Sequence, residues 1–227
     1  MALILSIDTS SNVCSVAIHE DGQIVGFKES DSVNSHSENL TLFIDSLLCE
    51  LSLKLSDLDA IAVSEGPGSY TGLRIGVSTA KGLCFALDIP LINVKTLASL
   101  ASLAIESTNQ ADGIYSPMLD ARRMEVYHAL FSQTGSELKA TAPMILDEDS
   151  LKEFNDQDLY YFGNGSAKAH DLFADKGFKW IDGIITSARG MGILAYSKFI
   201  KQDFVDVAYF EPYYLKDVRI TVSKKNV

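Results

Sequence analysis

The chain has 227 residues, 47% of them hydrophobic and 22% charged, enough to bury a core and to divide into two modest lobes. Its formal net charge is -11 at pH 7, a field that repels phosphate backbones and excludes a nucleic-acid binder working through a broad basic face. No run of about eighteen apolar residues offers a membrane helix, and Cys14, Cys49 and Cys84, far apart with no Cys-x-x-Cys pair, exclude a disulfide framework and read as small core residues.

Leu3 to Ile7 leads into Asp8 after one short apolar run with no basic leader, so it reads as a buried strand rather than a signal peptide, which places the chain in the cytoplasm. Val13 to Ile18 and Gln23 to Lys28 complete a three-strand meander, with turn chemistry at Asp8-Thr9-Ser10 and Glu20-Asp21-Gly22. Ser35-His36-Ser37-Glu38 has the form of a capping box, followed by Leu40, Phe43, Ile44, Leu47, Leu48 and Leu51 at helical spacing. Then come a strand from Ile61 to Ser64, a helix from Gly72 to Leu87, a strand from Leu91 to Val94 and a helix from Thr96 to Ile105.

The sequence turns polar between Glu106 and Gly113, and a second meander begins: Ile114 to Leu119, Glu125 to Phe131 and Glu137 to Ile145, with Asp120-Ala121-Arg122-Arg123 as an exposed hairpin turn. A helix near Asp149 to Asn155, a strand from Leu159 to Phe162 and a helix opening at Ser166 are expected next, so the first pattern partly repeats. Meanders followed by alternating helices and strands predict mixed sheets of the ribonuclease-H-like or actin-like kind. The expected lobes are 1–106, completed by a C-terminal return of about 187–227, and 107–186. The aromatic, proline-fixed Glu211-Pro212-Tyr213-Tyr214-Leu215-Lys216 is expected to pack back on the protein, because exposing Tyr209, Phe210, Tyr213 and Tyr214 together costs free energy.

Two turns carry candidate chemistry. Asp8, Thr9 and Ser10 form either a polar turn or a place for a phosphate and its magnesium. Gly66-Pro67-Gly68-Ser69-Tyr70-Thr71-Gly72 follows a strand and opens a helix, where free amides attract anions; Leu73 stands where a Walker loop needs lysine, so the other reading is a structural turn capped by Ser69 or Thr71. The nucleotide reading of these turns is ATP or ADP binding through Asp8, Thr9, Ser10, Gly66 and Gly68. The four histidines never fall at metal-ligand spacing, and no serine has a nucleophile elbow. His36 reads as an ordinary first-turn residue.

The helices suggest assembly instead. Beside their buried stripes, Leu42, Cys49 and Leu53 on the first helix and Ile75, Gly82 and Phe85 on the second form a further apolar side. Gly72 and Gly76, with Gly82, permit close helix approach, so the two helices predict a partner interface of the helix-bundle kind. The competing reading is that the second lobe covers these faces.

Taken together, Ile7-Asp8-Thr9-Ser10, the run from Ser64 to Gly76 and the closing Pro-x-Tyr-Leu pattern resemble the TsaB family, partner subunits of the bacterial complex that makes threonylcarbamoyladenosine in tRNA, along nearly the whole chain. The resemblance implies an α/β actin-like (ASKHA) fold with two lobes. It also implies kinship with the catalytic TsaD-type subunit, which binds metal through two histidines four apart. Thr96 and Leu100 stand at the matching positions here; threonine is a weak ligand and leucine has no lone pair, so no metal and no catalytic residue are expected. The same resemblance implies dimerisation with a TsaD-type subunit through N-terminal-lobe helices, access to a TsaE-type ATPase through the complex, only indirect contact with tRNA, and a homodimer as the alternative assembly.

Two enzyme readings compete. An ATP-binding phosphotransferase, or a nucleotide-binding regulator of the actin-like class, needs a phosphate loop in the second lobe, for which Gly163-Asn164-Gly165 is a weak match. A metalloprotease needs the missing histidine pair.

Overall fold

The computed structural model describes residues 1–30, 36–109 and 112–216; the cap expected at Ser35 lies outside them. Strands β1 (Leu3–Asp8), β2 (Cys14–Glu20) and β3 (Gln23–Ser30) form the expected antiparallel meander, with Leu3 opposite Glu20 and Asp8 opposite Ser15. Strand β4 (Ala60–Gly66) runs parallel to β1, and β5 (Leu91–Lys95) parallel to β4, giving the order β3-β2-β1-β4-β5.

Strands β1, β2 and β4 are buried at nearly every residue because both sheet faces are covered. On one face α1 (His36–Glu50) and α2 (Tyr70–Leu87) bring Leu40, Ile44, Leu47, Val77 and Cys84 against Leu5, Ile7, Val16 and Val63. On the other, α5 (Gly192–Ile200) and the turn before it place Ala188, Met191 and Ala195 on Ile4, Ala62, Ile92 and Val94. Sequence reading missed α5, because Gly190-Met191-Gly192 at its start has the composition of a loop.

The second sheet repeats the plan. Strands β6 (Ile114–Asp120), β7 (Glu125–Ser132) and β8 (Glu137–Ile145) form a meander, β9 (Leu159–Phe162) lies parallel to β6, and β10 (Lys179–Ile181) parallel to β9. The order β10-β9-β6-β7-β8 is the first sheet's order traced again. Helix α3 (Thr96–Thr108) joins the sheets and packs Leu97, Leu100 and Ala104 on Tyr115, Phe131 and Phe162. The helix expected near 149–155 is a single 3-10 turn, Lys152–Phe154, entered through Leu151 at φ 61°, a left-handed residue that prevents a regular helical start there. The helix expected from Ser166 is a 3-10 turn running into the four-residue α4 (His170–Phe173). Strand β10 escaped notice because three residues are too few to show alternation.

His19, buried in β2, fastens the C-terminal return to the first sheet. Its Nδ1 accepts from the Ser6 hydroxyl (3.0 Å) and its Nε2 faces the Arg189 carbonyl (3.4 Å), which can only accept, so Nε2 carries the proton. Burial pushes the imidazole down to about 4. The unfolded chain therefore binds the proton more readily, and stability falls as pH drops from about 6.5 to 4, by about 3 kcal/mol at the bottom of that window. His19→Gln is expected to flatten that part of the Tm against pH curve; an unchanged slope would refute the assignment.

Candidate functional site

The glycine-rich turn is seated on the β1–β2 turn. Asp8 Oδ1 accepts from the Ser10 amide (2.9 Å) and hydroxyl (2.6 Å), the Thr9 hydroxyl donates to the Gly72 carbonyl (2.7 Å), and the Ser69 amide donates to the Ser10 carbonyl (2.6 Å). Ser69 caps α2, its Oγ accepting from the Gly72 amide (3.2 Å). A side chain at Gly68 would strike the Ser10 carbonyl, and one at Gly72 the Thr9 carbonyl, so glycine is required at both for this approach. Two of the amides at the start of α2, those of Ser69 and Gly72, are thus engaged by the protein itself. His36 also belongs here, since its Nε2 donates to the Ser11 carbonyl (2.8 Å). No local pattern signals this role, because the contact spans 25 residues.

Asp8 is fully enclosed, and its Oδ2 has no hydrogen-bond partner. Burial raises its carboxyl above the ordinary range. The folded state then holds the proton more tightly than the unfolded chain, so stability is lost as pH rises from the ordinary carboxylate value through the raised one. Asp8→Asn is expected to melt at or above wild type at pH 7, with the gap closing toward pH 4; a lower Tm at pH 7 would show the carboxylate to be stabilising.

The C-terminal segment closes over the same turn. The Tyr213 amide donates to the Glu65 carbonyl (2.7 Å), Tyr214 meets Tyr70 with ring centroids 4.9 Å apart, and Arg74 lies 4.5 Å over Tyr70. Beside it a cleft of about 200 Å³ is lined by Glu65, Gly66, Lys95, Glu137, Thr141 and Tyr213. Lys95 is paired with Glu137 at 2.6 Å, joining the two sheets. Two carboxylates against one neutralised lysine suit a polyphosphate poorly.

The second lobe has the equivalent turn after β9, and it is closed in the same way. The Gly165 amide donates to the Met118 carbonyl (3.0 Å), the Asn164 side chain accepts from the Asp120 amide (3.0 Å), and a Cβ on Gly165 would press on that amide at 2.9 Å.

The expected interface residues divide by placement. Leu42 is 63% exposed, Phe85 is 86% exposed, and Cys49 and Gly82 are also exposed, all on α1 and α2, which pack against each other. Cys49 therefore departs from the core reading that Cys14 and Cys84 follow. Ile75 is half-buried against the first core. Leu53 lies beyond the end of α1, half-buried, because the chain reverses through Ser52 at φ 55°. Gly72 and Gly76 turn inward, onto Thr9, and present nothing outward. Thr96 and Leu100 are buried at the start of α3, Leu100 within the second core. Among the described residues no three His, Cys, Asp or Glu side chains converge as metal ligands, and no helix is long and apolar enough to cross a membrane.

Two copies of one five-stranded mixed sheet, each flanked by helices, with a strand-to-helix glycine turn at the end of the fourth strand, define a protein of the actin-like class. The family model described as TsaD: tRNA N6-adenosine threonylcarbamoyltransferase matches residues 15–157. The chain is similar to the tRNA threonylcarbamoyladenosine biosynthesis protein TsaB of Escherichia coli (strain K12), 30% identical over 94% of both chains. It is also similar to TsaB of Bacillus subtilis (strain 168), 32% identical over 77% of this chain and 78% of that one. The structure of YeaZ from Pseudomonas aeruginosa superposes with a TM-score of 0.76 at 27% identity, covering 95% of this chain and all of the other. The chain belongs to the TsaB family of tRNA threonylcarbamoyladenosine biosynthesis proteins.

Proposed function

We propose that this chain is a non-catalytic scaffold subunit that dimerises with a TsaD-type subunit and supports transfer of a threonylcarbamoyl group to the tRNA adenosine beside the anticodon. The observation that carries the reading is the exposure of Leu42 on α1 and of Phe85 on α2, the latter one turn from Gly82, at which an added Cβ would meet no atom within 4 Å. Large exposed side chains on two adjacent helices, with room for close approach, suit a helical partner. Without that partner the same face is available to a second copy of the chain. A TsaE-type ATPase is reached through the complex. The self-closed glycine turn favours assembly over the nucleotide-binding reading.

The test is co-purification of the tagged chain with the TsaD-type subunit from native lysate, read by mass spectrometry, and threonylcarbamoyl transfer assayed with each subunit alone and with both. Failure to co-elute, or transfer by this chain alone, would overturn the reading.

A further inference from the structure

Beyond α5 the chain runs as a strap from one sheet to the other. The Val205 amide donates to the Leu91 carbonyl (3.0 Å) at the edge of the first sheet. Lys81, on α2, then grips the strap, its Nζ donating to the carbonyls of Ala208 and Phe210, both at 3.0 Å. After Tyr213 and Tyr214 have crossed the glycine turn, Lys216 pairs with Glu125 of β7 and lies 5.5 Å over the Tyr127 ring. The segment turns at residues 207–209, where the Phe210 amide donates to the Asp206 carbonyl (2.8 Å), and is held by the proposed docking helix near its start, by Glu65 at Tyr213 and by the second sheet at Lys216. Lys81 adjoins Gly82 and lies one turn from Phe85. Tyr209, between the two gripped carbonyls, is 85% exposed, so it stands beside the face that the partner is proposed to cover.

We infer that residues 205–216 form a coupling strap: a TsaD-type subunit seated on α2 also covers Tyr209, and holding the strap there tightens its Lys216 end on the β6–β7 turn. This rests on the docking reading for its occupant. Because coupling between two sites is reciprocal, loosening the Lys216 end must weaken docking by the factor by which docking steadies that end. The segment's contacts run without a break from α2 and the edge of the first sheet to the second sheet.

Amide hydrogen exchange at residues 119–127 tests it in two arms. In the free chain, Lys81→Met is expected to speed exchange there several-fold although Lys81 makes no contact with those residues. The same change in a Lys216→Met background is expected to add nothing, since the strap's hold on the second sheet is already gone. Unaltered exchange in Lys81→Met, or equal effects in both backgrounds, would overturn the inference. In the second arm the TsaD-type subunit is added. Exchange at 119–127 is expected to slow in the wild type, and Lys216→Met to bind the subunit about fivefold more weakly or worse. Binding with no change at 119–127 and no loss in Lys216→Met would also overturn it. If the subunit does not bind the wild type, the docking reading falls, and the strap is judged on the first arm alone.

Discussion

Gly72→Ala is expected to lower the melting temperature by roughly 6–12 °C. The added methyl would overlap the Thr9 carbonyl oxygen, a backbone atom in the turn that directly follows β1. No rotamer change relieves that clash, so α2 must move away from the sheet and break the Thr9 hydroxyl's bond to the Gly72 carbonyl. Overpacking of this kind costs about 3 kcal/mol. Gly82→Ala, on the same helix, is the control. Its Cβ would meet nothing within 4 Å, so the alanine's better helix propensity alone acts, and stability should rise by about 0.5–1 kcal/mol. Thermal melts of the two variants check both signs. Equal effects would mean that the turn is not packed as described.

Phe85→Glu is expected to weaken binding of the TsaD-type subunit by roughly 30- to 1000-fold, the loss typical of a central aromatic anchor. The side chain is 86% exposed in the free chain, so the melting temperature should move by no more than about 2 °C. Leu42→Glu should act in the same direction. A charge at Ile75 makes a poorer test, because that side chain packs partly on the first core and the variant would lose stability as well as any contact. Isothermal titration calorimetry alongside thermal melts separates the two effects, and wild-type affinity in Phe85→Glu would remove this face from the interface.

Both meanders were legible in the sequence because apolar strands, polar turns and glycines repeat with short periods, and because the stripe of Leu73, Val77, Ala80 and Cys84 follows the helical one. The outward positions of Phe85, Leu42 and Gly82 followed from the same angular argument. Angle alone could not tell that Gly72 and Gly76 face inward. Their place is set by Thr9, 63 or more residues earlier in the chain, whose carbonyl faces Gly72 and whose side chain faces Gly76, a long-range contact with no local periodicity. His36 escaped for the same reason, and so did the path of the C-terminal segment, whose position depends on carbonyl groups held by Lys81 rather than on side-chain pattern. Asp8 was visible as a residue, but its isolation from solvent was not, since the groups that act on it include Ser64 and His36, distant in the chain.

The repeated sheet order has one more consequence. In each half, the loop leaving the fourth strand plugs the mouth of the first strand, through Gly68 and Gly72 on one side and Gly165 on the other. A molecule stoppered twice, by independent stretches of chain, is expected to open at most one of the two turns on any single replacement. Reopening one stopper would leave the facing half shut, so a laboratory search for gained ligand binding would have to randomise both loops together, while the outer helices remain free to be redesigned one residue at a time.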